Sequence, residues 1–266
     1  MNILVPMAGA GSRFAEKGYT LHKPVIPVTS RRLGRKLPMV VNAVFDLPSD
    51  QCATGRGLTF VVRDFHVSEG VCDIIRDHCP AASFVTADRL TEGQASTCLL
   101  AREAINNDEA LLIAACDNGM DIDQARFENA TVSADAVIFT FRHNEAVVSR
   151  PQAYGWVLTN ATDAVGVSIK NPISDTPIED HAIVGTFWFR RGSDFVAAAE
   201  QMMAENDRIN GEFYVDQVFK YMLSAGLKVV VFEIDRYICW GTPEDYEIYE
   251  NTIAYWKEFM DGEKIL

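Results

Sequence analysis

The chain opens on an apolar run, Asn2 to Pro6, that breaks at once into Gly9-Ala10-Gly11-Ser12. A short apolar run ended by glycines reads as a buried strand followed by a loop. Further apolar runs at Leu58 to Val62, Ser83 to Ala87 and Leu111 to Cys116 alternate with helix-like stretches at Val67 to Arg76 and Gln94 to Ala104. That alternation predicts a parallel sheet with helices on its faces. After about residue 135 the pattern changes, and Asp135 to Arg142, Tyr154 to Thr159, Ala164 to Lys170 and His181 to Arg190 follow one another as strands joined by turns. This half is predicted to be richer in antiparallel or mixed sheet. Helical patterns return at Ser193 to Ala204 and Tyr214 to Ala225, then a strand at Lys228 to Ile234 and a last helix from Pro243 toward Met260. Thr242 suits its start, because a hydroxyl can cap and proline is tolerated in the first turn. With no internal repeat and no long linker, the reading is one domain over 1–266, with a first lobe at 1–134 and a second at 135–266.

In open α/β sheets ligands bind outside the carboxyl ends of the strands. Ala8 to Arg13 and Asp117 to Asp121 both follow predicted strands and should face one crevice. Charge narrows what that crevice binds. The 266 residues carry 24 Lys plus Arg against 37 Asp plus Glu, a formal charge of −13, which repels a nucleic-acid backbone over most of the surface. A general nucleic-acid binder is excluded, whereas a small polyanion can still be held by a few clustered cations and backbone N–H groups. Six cysteines form no C-x-x-C pair, Met1 leads into the first strand without a basic start, and no apolar run reaches the length of a membrane span. A cytoplasmic protein with reduced, packed cysteines and no membrane contact is expected.

The clearest chemistry lies in Ala8-Gly9-Ala10-Gly11-Ser12-Arg13 followed by Lys23-Pro24. Closely spaced glycines let backbone N–H groups approach phosphate oxygens, Arg13 offers a fork and Lys23 a point charge. Phe14 stands where a dinucleotide fingerprint needs its third glycine, and the Gly-Lys-Ser/Thr of a P-loop is missing. A plain glycine turn with solvated cations is the competing account, and Arg13 and Lys23 tilt the balance toward a triphosphate cradle.

The stretch Val5-Pro6-Met7-Ala8-Gly9-Ala10-Gly11-Ser12-Arg13-Phe14 with Lys23-Pro24-Val25-Ile26-Pro27-Val28 resembles the signature of the sugar-phosphate nucleotidyltransferase family. In order along the chain, Glu92-Gly93-Gln94-Ala95, Ala115-Cys116-Asp117-Asn118, Lys170-Asn171-Pro172, Val184-Gly185-Thr186, Asn210-Gly211-Glu212-Phe213-Tyr214 and Gly241-Thr242-Pro243-Glu244-Asp245 continue the resemblance. The fold it implies is a three-layer, Rossmann-like mixed α/β sheet of the nucleotide-diphospho-sugar transferase type. The reaction it implies is attack by an acceptor phosphate on the α-phosphorus of a nucleoside triphosphate, releasing pyrophosphate, in surface-polysaccharide precursor synthesis.

By the same resemblance Arg13, Lys23 and Asp117 are the catalytic set, with Arg13 at the β- and γ-phosphates, Lys23 near the α-phosphate and Asp117 holding Mg²⁺. Ala8, Gly9, Ala10, Gly11, Ser12, Gly93 and Gln94 are expected at the nucleotide, and Lys170, Gly185 and Glu212 at the acceptor. Hard Mg²⁺ prefers carboxylate oxygen plus phosphates and water, which favours Asp117 as its ligand over the competing account of a cap for a helix beginning near Asp121, while Glu212 could equally sit in the first turn of the helix after it.

Two departures from the family matter. Where many relatives carry a second metal-binding aspartate this chain has Cys239, a poor Mg²⁺ ligand, so Asp235, Asp216, Asp245 or water must take that place. The segment between Val28 and Met39 is also longer than usual and carries Arg31, Arg32, Arg35 and Lys36. It either extends the anion site or is a solvated loop. The five histidines show no metal-ligand spacing, and the four tryptophans read as core, with Trp240 bordering the acceptor.

Three alternatives stay open: a CTP-dependent cytidylyltransferase with a non-sugar acceptor, a catalytically silent nucleotide-binding module, and a glycosyltransferase holding a nucleotide-sugar. Apolar residues of the last helix, Tyr246, Ile248, Tyr249, Ile253 and Trp256, dock on the core or on a second subunit, and a homodimer is the expected assembly.

Overall fold

The computed structural model describes residues 1–9 and 11–263, the side chains of 261–263 excepted. Nine strands form one mixed sheet that runs, edge to edge, Ser83–Ala87, Leu58–Arg63, Asn2–Pro6, Leu111–Ile113, His181–Phe189, Ala136–Phe141, Val229–Glu233, Asp163–Ile169 and Gly155–Asn160. The first four are parallel, with Ile3 in register between Leu58 and Leu112. His181–Phe189 runs antiparallel to both of its sheet neighbours. Its first residues also pair with Trp156 and Val157, so the strands of the second half close into a circuit.

Alternation along each strand explains why the apolar runs are continuous. Ile3 and Val5 join one buried cluster, with Phe60, Leu112 and Phe139, under the helices Met39–Phe45, Val71–Arg76 and Gln124–Ser133. Leu4 joins the other, with Val61, Ile113 and Phe187, under Gly192–Ala204 and Val215–Ser224. These are the three layers.

Some local expectations need correction. The stretch Val67 to Arg76 is split into Asp64–Ser68 and Val71–Arg76, because Gly70 takes a left-handed φ of 76° between them. Gln94 to Ala104 likewise divides into Gln94–Leu99 and Arg102–Ile105. The helix after Asp121 is capped by Asp123, whose Oδ1 accepts the Arg126 N–H at 2.9 Å, so Asp117 caps nothing. Thr242 caps the last helix, Pro243–Glu263, by accepting the Asp245 N–H at 3.2 Å.

The basic loop folds between the short paired strands Pro27–Thr29 and Lys36–Pro38, and its residues 32–36 are exposed, as the solvated reading expects. Three of its four cations nevertheless pair with carboxylates of the protein. Arg31 reaches Asp121 at 2.9 Å and the buried Asp46 at 3.3 Å, Arg32 reaches Asp46 at 3.4 Å, and Lys36 reaches Glu250 at 3.5 Å. Burial pushes the Asp46 carboxyl upward and the Arg31 charge opposes it, so the loop is a strap that neutralises a buried acid.

Beneath the strap Phe14, Ile26, Val28, Met39 and Trp240 form a third cluster, against which Tyr246 and Tyr249 of the last helix pack. Trp240 is therefore core. Trp256 is not, for it stands on the same helix 54% exposed. All six cysteines are free thiols, four of them buried. Among the described residues no helix is long and apolar enough to cross a membrane.

Candidate active site

Two cavities meet at the carboxyl end of the parallel strands. The first, about 530 Å³, is lined by Ala8, Gly9 and Gly11 of the first loop, by Lys23, Gly93, Gln94 and Asp117, and by Leu21, Phe65, His66 and Leu90. The second, about 410 Å³, is lined by Arg13, Arg150, Lys170, Gly185, Tyr214, Asp216 and Asp245, and shares Lys23, Gln94 and Asp117 with the first. The two loops expected to face one crevice thus do so.

Lys23 and Asp117 stand at the junction. Lys23 Nζ donates to Asp117 Oδ2 at 2.6 Å and to the Gly241 carbonyl at 3.1 Å. Burial alone would depress the Lys23 ammonium; the Asp117 carboxylate outweighs it and the net shift is upward. The lysine therefore remains a cation at the meeting point of both cavities.

The turn Glu92–Ala95 is docked by backbone hydrogen bonds, Phe213 N–H to Glu92 O at 2.8 Å and Ala95 N–H to Phe213 O at 2.9 Å. Gly93 adopts φ +122°, and a Cβ there would lie 2.6 Å from the Phe213 N and O atoms. Only glycine permits that approach, and it carries Gln94 to the wall between the cavities.

In the second cavity, Lys170 Nζ donates to the Ala153 carbonyl and lies 5.4 Å from the Tyr214 ring centroid. Burial lowers its pKa, Asp216 and Glu212 push it back, and Arg13 adds to the lowering. Burial raises the Asp216 carboxyl, against the pull of Lys170.

Each expected site residue can now be located. Glu212, expected at the acceptor, lines the first cavity; Arg13, expected at the terminal phosphates, lines the second, exposed and with no ion pair among the described residues. Gly185 lies in the second cavity as expected. Ser12 is exposed and lines neither, and Ala10 lies outside the described residues. Of the three carboxylates considered for the place of the missing aspartate, Asp235 is paired to Arg126 at 2.9 Å and Asp216 faces Lys170. Asp245 alone adjoins Cys239, with its Oδ2 3.4 Å from the Cys239 Sγ, 2.7 Å from Thr242 Oγ1 and 3.6 Å from Arg150. Sequence reasoning missed Arg150 in this cavity, since a lone arginine on a loop carries no pattern.

No group of three or more His, Cys, Asp or Glu among the described residues is placed to hold a metal by itself. Mg²⁺ binds through one or two carboxylates and keeps phosphate and water ligands. Asp117, with a side chain 32% exposed, is the carboxylate among the described residues that lines both cavities. Burial pushes the Cys239 thiol up to about 12, and a neutral thiol is a poor partner for hard Mg²⁺.

His66 also lines the first cavity, and sequence reasoning weighed it only as a metal ligand. Its Nδ1 accepts the Arg63 N–H at 3.2 Å. Burial, then His22 and Arg63, lower its pKa from 6.5 to about 4. The unfolded chain thus takes up a proton first, so the stability His66 confers is complete above pH 6.5 and is lost as pH falls toward 4. At pH 5 the loss is about 2 kcal/mol. Urea unfolding should show the gap between wild type and His66→Asn narrowing by that amount from pH 7.5 to 5, and a pH-independent gap would contradict it.

Neither a protein-family model nor a curated protein sequence matches the chain. Solved structures do. The nucleoside-diphosphate-sugar pyrophosphorylase from Vibrio cholerae RC9 is similar over 93% of this chain and 98% of its own, with a TM-score of 0.71 and 21% identity. A Bacillus anthracis protein described as a glucose-1-phosphate thymidylyltransferase is similar over 95% and 94%, with 0.72 and 17%. The inositol-1-phosphate CTP transferase from T. maritima is similar over 94% and 93%, with 0.65 and 14%. The chain has the sugar-phosphate nucleotidyltransferase-type fold.

Proposed function

We propose that this chain is a Mg²⁺-dependent nucleotidyltransferase that couples a nucleoside triphosphate to a phosphorylated sugar or other small phosphorylated metabolite. The observation that carries this reading is the Lys23–Asp117 pair, set where a cavity with a glycine loop meets a cavity with arginine and lysine. Two polyanions must be brought together, so alignment and charge neutralisation supply most of the rate. Residues of 1–134 supply most of the nucleotide contacts and those of 135–266 most of the acceptor contacts, with Arg13 and Glu212 each reaching the other lobe's cavity.

Gly9 and Gly11 offer backbone to the phosphates, while Gly93 and Gln94 flank the base. Lys23 remains protonated beside the α-phosphate, and Arg13 and Lys170 bring the acceptor phosphate against it, with Gly185 at the acceptor's edge and Glu212 in the wall of the nucleotide cavity. An acceptor oxygen bonds to the α-phosphorus, the bond to the bridging oxygen of the β-phosphate breaks, and pyrophosphate leaves with that electron pair. Asp117 would hold Mg²⁺, which would supply charge neutralisation at the phosphates.

The product serves surface-polysaccharide precursor synthesis in the cytoplasm. The protein acts as a homodimer through the outer half of the last helix, where Tyr255, Trp256 and Met260 are each more than half exposed. A CTP-dependent enzyme with a non-sugar acceptor is the second reading, favoured by the similarity in fold to the inositol-1-phosphate CTP transferase.

Thermal unfolding with Mg²⁺ and each of ATP, CTP, GTP, UTP and dTTP tests the proposal, followed by pyrophosphate release with phosphorylated acceptors. A triphosphate at about 100 times its Kd adds roughly 2.7 kcal/mol of stability. Stabilisation by none of the five would overturn the reading, and binding without release would point to a silent nucleotide-binding module.

A further inference from the structure

One cavity-lining group has no part in the chemistry proposed above. His66 lies on Asp64–Ser68, directly after the parallel strand Leu58–Arg63, and is only 2% exposed. Its ring is held on two sides, edge to face with Phe65 at a centroid distance of 4.4 Å and with His22 at 5.4 Å. His22 is itself tied to Glu69 at 2.8 Å.

Because Nδ1 accepts the Arg63 N–H, the proton of the neutral ring sits on Nε2. Among the described residues Nε2 has no hydrogen-bond partner, and it is not one of the sealed-off polar atoms of the interior. It is open, and in a ring this buried the opening is the cavity. The low pKa supports the same picture, since the ring stays neutral at physiological pH.

A neutral donor in a fixed direction suits an uncharged acceptor atom rather than a phosphate, for which a cation would serve better. The neighbouring wall agrees. Leu21 and Leu90 line the same cavity and are 50% and 58% exposed, apolar surface that a flat heterocycle would cover.

We propose that His66 reads the nucleobase, its Nε2–H donating a hydrogen bond to a carbonyl oxygen or ring nitrogen on the edge of a base seated against Leu21, Phe65 and Leu90. This rests on the nucleoside-triphosphate reading of the first cavity and adds the residue that sets base selectivity.

Two substitutions separate the ring's two nitrogens. His66→Asn puts an acceptor oxygen where Nδ1 stands, keeping the partner of the Arg63 N–H, and removes the Nε2 donor. His66→Gln puts an N–H near the Nε2 position. Titration calorimetry at pH 7.5 with Mg²⁺ compares wild type and both variants against CTP, UTP, dTTP, ATP, GTP and inorganic tripolyphosphate.

The expected result is that His66→Asn weakens the preferred nucleotide by about tenfold, the worth of one hydrogen bond, and leaves tripolyphosphate unchanged. His66→Gln should keep more of the nucleotide affinity. In wild type, whatever the variants' folding, the Nε2 nitrogen and proton NMR signals of His66 should move on nucleotide binding and stay still with tripolyphosphate. An unchanged nucleotide Kd in His66→Asn with a stationary Nε2 signal would overturn the assignment, as would a parallel loss for tripolyphosphate, which would place the contact at a phosphate. A wild type that binds tripolyphosphate and no nucleotide removes base reading. One that binds none of the six removes the nucleotidyltransferase reading and this assignment with it.

Discussion

Asp117→Asn is expected to lower pyrophosphate release by about 10³-fold while leaving a folded protein. The side chain is nearly isosteric, so the packing about it is kept; what is lost is the one carboxylate charge that, among the described residues, lines both cavities. That charge has two uses. It fixes the Lys23 ammonium at 2.6 Å, and under the proposed function it is the carboxylate that would hold Mg²⁺. Removing a single preorganised electrostatic group from a reacting centre costs about 10²–10³ in rate, and here two such groups lose their anchor together.

Stability should suffer less. Breaking a fully buried pair costs about 3–5 kcal/mol, but the Lys23 and Asp117 side chains are 18% and 32% exposed. Solvent screening then brings the cost to about 1–2 kcal/mol. A coupled pyrophosphate assay and a thermal melt check both figures. Activity within tenfold of wild type would remove Asp117 from the centre of the chemistry.

Much of this centre was legible in the letters because parallel strands are buried on both faces and therefore continuous in hydrophobicity. The ends of Asn2–Pro6 and Leu111–Ile113 can be placed, and with them the segments Ala8 to Arg13 and Asp117 to Asp121. The same rule applied to Leu58–Arg63 points to Phe65 and His66; metal-ligand spacing among the histidines does not, because a single hydrogen-bonding ring displays none.

Other features left no local signal. Pro27–Thr29 and Lys36–Pro38 are three residues each, too short for any period. The strap depends on Asp121, 90 positions from Arg31, and only the fold brings it there. The adjacency of Asp245 to Cys239 is of the same kind, since it requires the turn before the last helix to fold back on the strand end. Exposure of the outer last helix was hidden for a different reason: a helix reads alike whether its apolar face meets a core, a second subunit or water.

Two glycines of the first cavity should respond to alanine in opposite ways. At Gly93 the added Cβ would meet the Phe213 backbone N and O at 2.6 Å, and φ +122° is strained for any L side chain. Neither partner can yield by a rotamer change, because Phe213 N and O are the two atoms that hydrogen-bond the turn. Gly93→Ala must therefore break the docking of Glu92–Ala95 or displace Phe213, at a cost of about 2–4 kcal/mol. For a chain of this size that lowers Tm by roughly 10 °C. Nucleotide binding falls as a consequence, with the turn that carries Gln94 no longer in place.

At Gly9 the added Cβ would meet nothing within 4 Å. The space beside Gly9 is the first cavity itself, so Gly9→Ala should melt within about 1 °C of wild type. A methyl group there stands where phosphate oxygens approach backbone N–H groups, and the Kd for the preferred triphosphate should rise at least about tenfold. Differential scanning calorimetry with and without nucleotide separates the two effects, as a lower apo Tm for Gly93→Ala and a lost ligand-induced shift at unchanged apo Tm for Gly9→Ala. An undisturbed melt for Gly93→Ala would mean the turn is not anchored through Phe213. An undiminished ligand shift for Gly9→Ala would mean the phosphates do not lie along the first loop.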